Sequence, residues 1–162
     1  MADSSFDLVS DFDQQELVNA LDQVRREVAT RYDFKSAHVN LELTKTEIVL
    51  QADDEYRAAA VKDLIQSKAV RRNLSLKIFD WGTVEPAGGG TVRQHIGLKR
   101  GLTSDQAKEL SKLVRERFPT VKPSIQGDAV RVSGKSRDEL QAVIGHLRGL
   151  DYPVALQFEN YR

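Results

Sequence analysis

The chain has 162 residues, 24 Lys plus Arg against 24 Asp plus Glu, no cysteine and 40% apolar side chains. That length and apolar content suffice for one ordinary domain or two small ones, and the missing cysteines exclude a disulfide scaffold, a thiolate metal site and a cysteine nucleophile. The zero net charge conceals a division, since residues 1–80 carry 11 basic and 15 acidic side chains and residues 81–162 carry 13 and 9, so the net value alone decides nothing about an anionic partner.

Phe6 to Val9 reads as a short strand. Asp13, with Glu16 three residues later, makes a capping-box-like helix start, and Leu17, Leu21, Val24 and Val28 share one face of that helix. His38 to Leu43 and Glu47 to Ala52 alternate as two strands around a polar turn at Thr44-Lys45-Thr46. Asp53 is placed to cap a second helix with Val61, Leu64, Ile65 and Ala69 inward, and Leu74 to Phe79 closes the unit as a strand.

Glu85 to Gly90 is the one Gly- and Pro-rich stretch, and it reads as a linker or long turn between two units. A phosphate loop would open directly into a helix, whereas Thr91 to Ile96 alternates like a strand. The same order of elements then returns: a strand from Thr91 to Lys99, a helix from Thr103 to Phe118, two strands around Gly127-Asp128, a helix from Ser136 to about Leu150, and a strand from Val154 to Phe158. The fold class expected is α+β, two tandem ferredoxin-like βαββαβ domains, each a four-stranded antiparallel sheet with two helices on one face. The boundaries are 1–84, a linker at 85–90, and 91–162. Because the units are alike, their first strands could exchange between sheets.

No catalytic constellation is visible. His38, His95 and His146 form no metal-ligand spacing, and His146 beside Val143 and Leu147 reads as a half-buried packing residue. Gly134-Lys135-Ser136 sits at a strand-to-helix junction, but a Walker loop needs a glycine where Ala129 stands. Ser136 with Glu139 reads first as a capping box, and free amides beside Lys135 and Arg137 could also hold a phosphate. Strand parity gives a sharper signal: if Val92, Ile96 and Leu98 face the helices, Arg93, His95 and Lys99 face the open side, and in the same sheet Gln126, Arg131 and Gln157 do so too. That face would be basic and amide-rich, or simply the solvated face of an antiparallel sheet. The central strands carry no aromatic residue, which disfavours RNA reading by stacking there. Phe79 and Trp81 oppose Leu76 and Ile78 in parity, which predicts that they lie on the open face or against the second unit.

Ser5-Phe6-Asp7-Leu8-Val9-Ser10, Arg31-Tyr32-Asp33-Phe34-Lys35, Gln126-Gly127-Asp128 with Val130-Arg131-Val132-Ser133-Gly134-Lys135, and Leu156 to Arg162 resemble the YajQ family of small bacterial cytoplasmic proteins, in the same order over nearly the whole chain. The resemblance implies two ferredoxin-like domains and nucleotide binding without an established enzymatic activity, with associations to RNA and, in some members, to cyclic di-guanylate signalling and transcriptional regulation. Ser36 stands where the family usually has glycine, and Gly97 removes a side chain from the proposed face.

The expectation is therefore a non-enzymatic, regulatory nucleotide-binding protein whose ligand is a nucleotide or a cyclic dinucleotide such as cyclic di-GMP. The alternative is an RNA-binding or transcription-associated protein using the basic sheet of the second domain. Candidate nucleotide-binding residues are Arg31, Phe34, Lys35, Trp81, Arg93, Lys99, Gln126, Arg131 and Lys135, with no catalytic residue, metal ligand or cofactor. Neither end shows a charged start followed by an apolar run, and no stretch approaches the roughly 20 apolar residues of a bilayer span. A cytoplasmic location with no membrane partner is expected.

Overall fold

The computed structural model describes residues 3–31 and 38–162. In chain order the elements are β1 (Ser4–Val9), α1 (Gln14–Thr30), β2 (Asn40–Leu43), β3 (Glu47–Ala52), α2 (Glu55–Arg71), a single 3-10 turn (Leu76–Ile78) and β4 (Phe79–Pro86). There follow a glycine turn (Gly88–Gly90), β5 (Val92–Leu98), α3 (Ser104–Arg117), β6 (Lys122–Gln126), β7 (Ala129–Gly134), α4 (Arg137–Arg148) and β8 (Gln157–Glu159). Among the described residues the strands form two four-stranded antiparallel sheets, ordered β6-β7-β1-β8 and β2-β3-β5-β4. Both are the sheet of a ferredoxin-like unit, with α3 and α4 packed on the first and α1 and α2 on the second.

The first strands are exchanged. β1 lies beside β7, with Phe6 opposite Val132 and Leu8 opposite Val130, while β5 lies beside β3, with Ile96 opposite Ile48. The compact units are consequently the described residues of Met1–Asp11 together with Arg100–Arg162 (unit 1), and those of Phe12–Lys99 (unit 2). This corrects the contiguous division at 85–90. The glycine-rich stretch is a hairpin turn inside unit 2, joining β4 to its antiparallel neighbour β5, with Gly89 and Gly90 at φ +70° and +77°, a region that a Cβ disfavours. The charge division disappears with it: among the described residues there are 11 basic and 11 acidic in unit 1, and 12 and 12 in unit 2.

Local chemistry explains the helix starts. Asp13 accepts from the amides of Gln15 and Glu16 at 2.9 and 3.2 Å, Thr103 forms a reciprocal capping box with Gln106, and Ser136 accepts from Glu139 at 3.2 Å. α2 is capped by Asp54, which accepts from Arg57 at 2.8 Å, and not by Asp53, whose carboxylate instead accepts from the His38 amide at 2.9 Å. In unit 1, Phe6 and Leu8 from β1 are buried among Leu110, Val114, Val130, Val132, Val143, Ile144 and Leu147. Each such side chain contributes about 1.5–3 kcal/mol of burial, so β1 is a core strand of that unit. In unit 2, Leu17, Leu21 and Val24 of α1 and Val61 and Ile65 of α2 are buried, as are Ile48, Leu50 and Ile96 of the sheet.

The fourth strand departs from its expected form. Leu76–Ile78 is a 3-10 turn and the strand begins at Phe79. That turn resets the alternation: Phe79 is opposite Leu98 and Trp81 opposite buried Ile96, which puts both rings on the helix-covered side, against the open-face expectation. A bulge follows between Trp81 and Val84. Gly82 is required there, because a Cβ would collide with the His95 carbonyl oxygen, and the buried Gln94 side chain donates to the Gly82 carbonyl at 2.8 Å. No helix among the described residues is long and apolar enough to cross a membrane.

Candidate functional site

The strand exchange separates the residues expected to share one basic face. Arg93 is exposed on the open side of β5 in unit 2, and Lys99 follows that strand with its amide donating to the Ile78 carbonyl at 2.8 Å. Gln126 and Arg131 belong to the other sheet. The single face built from both sets is therefore not formed, because β5 lies between β3 and β4. Around Arg93 the register puts Glu42, Glu47, Asp80 and Glu85 on the same side, and His95 Nδ1 lies 3.2 Å from Glu47. Four carboxylates against one guanidinium make that side a poor place for phosphate. Asp80, 3.3 Å from where a Gly97 Cβ would stand, takes up the room that glycine leaves.

The other expected residues fall in different elements. Arg31 ends α1, its amide donating to the Glu27 carbonyl at 2.8 Å. Phe34 and Lys35 lie outside the described residues. Trp81 stacks 5.0 Å from Phe79 under the Lys62 ammonium, 4.9 Å from its ring centre. Gln126 donates its side-chain amide to the Ser124 hydroxyl at 3.0 Å. His146 packs edge-on to Phe118 at 5.9 Å. Among the described residues no three His, Asp or Glu side chains come together as metal ligands.

Arg131 has a partner on the open face of unit 1. Its Nε donates to Asp7 Oδ1 at 2.9 Å and its Nη2 to Oδ2 at 3.4 Å, and Asn160 Nδ2 donates to the same Oδ2 at 2.9 Å. The Asp7 side chain is only 10% exposed. The Arg131 hydrogen bond, aided by Asn160 and by the charges of Arg131 and Arg162, holds its carboxyl below the usual range although burial acts the other way. A guanidinium committed to a buried carboxylate is a poor first ligand for phosphate.

Several cavities border the sheets among the described residues. Lys135 and Lys122 border one of about 160 Å³ with Ser133 and Ser136, and the matching corner of unit 2, between His38, Asn40, Gln51 and Thr91, holds about 420 Å³. The first is below the usual ligand-pocket range of roughly 300–1,000 Å³, and no Lys or Arg is among the described residues lining the second. The third, about 410 Å³, lies in unit 1 between Ser4, Ser5 and Phe6 of β1, Arg137, Leu140, Gln141 and Ile144 of α4, and Tyr161 and Arg162 beyond β8. Its lining combines the apolar residues Phe6, Leu140 and Ile144 with two arginines, a glutamine, two serines and Tyr161, which is 57% exposed. Arg137 Nε reaches the Ser4 hydroxyl at 3.4 Å, and Ser5 and Arg162 exchange backbone hydrogen bonds of 3.2 and 2.9 Å. Sequence reasoning named Arg137 only beside Lys135 at the helix start and did not single out Gln141, Tyr161 or Arg162. Their residue types were plain, but only the exchange of β1 brings residues 4–6 to them.

The profile of a family described as "Nucleotide-binding protein YajQ-like" matches residues 4–162. The chain belongs to the YajQ-like family. Its relatives include a nucleotide-binding protein of Chloroflexus aurantiacus, 60% identical over 163 residues and covering 99% of both chains. Others are a nucleotide-binding protein of Synechococcus elongatus, 58% identical with 98% of both chains covered, and one of Roseiflexus castenholzii, 55% identical with 99% covered. These YajQ-like relatives are named for nucleotide binding and not for a reaction.

Proposed function

We propose that this protein binds a nucleotide without transforming it, and that the cavity between β1, α4 and the residues after β8 receives it. One observation supports this above the rest: Arg137, Arg162 and the exposed Tyr161 ring surround a cavity of about 410 Å³ with Phe6, Leu140 and Ile144 beneath. The guanidiniums would take the phosphate and the phenol ring would stack on the base, while Gln141 and the Ser4 hydroxyl supply orienting hydrogen bonds. Within this reading a cyclic dinucleotide such as cyclic di-guanylate is the regulatory ligand, as the family resemblance suggests. Lys135 is a peripheral cation and Arg131 acts through Asp7.

Calorimetric titration of GTP, ATP, GMP and cyclic di-guanylate against the wild type, Arg137→Ala and Tyr161→Ala tests the proposal. Loss of a charge-assisted hydrogen bond corresponds to roughly a ten- to hundredfold weaker affinity, so Arg137→Ala should bind at least about tenfold more weakly. Saturable binding unchanged in both variants would move the site elsewhere, and no binding to any of the four would remove the function.

The second reading, an RNA-binding or transcription-associated protein, rests on the exposed row Lys122, Ser124 and Gln126 along β6. It calls for an affinity for single-stranded RNA that falls steeply with salt, in proportion to the phosphates contacted. A single nucleotide in a cavity loses far less.

A further inference from the structure

The carboxylate of Asp7 stands at the centre of a device that the binding reaction itself does not call for. β1 and β8 pair with Asp7 opposite Glu159, yet Ser5 exchanges backbone hydrogen bonds with Arg162. Two residues, Asn160 and Tyr161, thus oppose the single residue Phe6, which is a bulge. Asn160 accommodates it with φ at 55°, a left-handed conformation uncommon outside glycine. Its side chain is then held at 2.9 Å by Asp7, and Asp7 in turn by the fork of Arg131. Immediately beyond this clamped turn come Tyr161 and Arg162, the two cavity residues that no helix or strand holds.

We propose that Asp7 and Asn160 are positioning residues of the nucleotide cavity: by fixing the left-handed turn at Asn160 they deliver the Tyr161 ring and the Arg162 guanidinium to the cavity wall. Arg131 orients the clamp from the neighbouring strand. The inference rests on the proposed use of that cavity, and it assigns Arg131 a role without ligand contact. Free of the clamp, the terminal segment keeps its residues but must order them on binding, and that ordering cost comes out of the affinity.

The test uses Asn160→Ala, a change at an exposed position that leaves Arg131 and Asp7 paired, with Asp7→Asn as a second variant. Hydrogen exchange at the Ser5 and Arg162 amides reports the turn, exchange at Leu110 and Val132 reports the core, and titrations with GTP and cyclic di-guanylate report the cavity. Asn160→Ala should speed exchange at Ser5 and Arg162 by about tenfold or more, leave Leu110 and Val132 as in the wild type, and weaken binding about tenfold. Arg137→Ala should weaken binding while leaving the Ser5 and Arg162 amides protected. Wild-type exchange in Asn160→Ala overturns the proposal, as does faster exchange with undiminished affinity when Arg137→Ala still weakens binding. Wild-type affinity in Arg137→Ala and Tyr161→Ala overturns the cavity reading, and with it the role given to the clamp.

Discussion

Phe6, near the start of the chain, lies directly opposite Val132 of β7, and both are buried to within 1% of full enclosure in the same core. The core of unit 1 is therefore shared between the two ends of the sequence, while Ile96, from the middle, is buried in unit 2 opposite Ile48.

Leu8→Ala should act on unit 1 alone. Removing this fully buried side chain leaves a cavity and costs about 2–5 kcal/mol. Amide exchange should accelerate at Val130 and Leu110 while Leu21 and Ile48 keep their protection. Ile96→Ala should show the reverse pattern, and equal loss in both units would contradict the exchanged pairing.

Gly82→Ala should weaken unit 2 by about 1–3 kcal/mol, because the added methyl meets the His95 backbone and neither strand can yield without breaking the pairing around the bulge. Chemical denaturation followed by Trp81 fluorescence reads this directly, since Trp81 is the chain's one tryptophan and lies in the same strand.

Ser111→Ala should be neutral or stabilising by up to about 1 kcal/mol. Ser111 is 3% exposed on the inner face of α3, and its hydroxyl finds no hydrogen-bond partner among the described residues. Alanine removes the cost of burying that group and raises helix propensity. A lowered unfolding midpoint would show that the hydroxyl has a partner after all.

Acid should loosen unit 1 through Asp7. Its carboxyl is held below the usual value of 3.8, chiefly by the Arg131 hydrogen bond. The folded state thus binds that proton less readily than the unfolded chain, so the stabilisation is complete above the ordinary value and is lost as pH falls through the lowered one. The charged groups facing it are Arg131 on β7, Glu159 opposite on β8, and Arg162. Urea unfolding should give an Asp7→Asn deficit that is constant from about pH 5 to 8 and shrinks toward pH 2.

The helices were legible because their determinants are local: Asp13 and Ser136 cap where their spacing predicts, and of the apolar stripes Leu17, Leu21 and Val24 in α1 and Val61, Leu64, Ile65 and Ala69 in α2 are buried, with Val28 half-buried. Strand partnership was not. Phe6 and Leu8 in β1 and Ile96 in β5 alternate alike and fill the same place in equivalent sheets, so period-two patterning cannot say which sheet takes which strand. The parity error at Phe79 and Trp81 has a narrower cause, one 3-10 turn that carries no glycine or proline to announce it. The cavity residues followed from the same ambiguity. Arg137 read only as a neighbour of Lys135 and Tyr161 only as part of the terminal motif until β1 is placed between β7 and β8, and Arg131 read as a free cation until that strand put Asp7 beside it.

The exchanged strands also set a schedule for biosynthesis. Residues 12–99 are contiguous, so unit 2 can close as soon as β5 has left the ribosome. β1, although made first, has no sheet to join until β7 emerges. At about 5–20 residues per second, the wait lasts roughly 6–25 s, during which Phe6 and Leu8 travel uncovered and are the segment a chaperone would find.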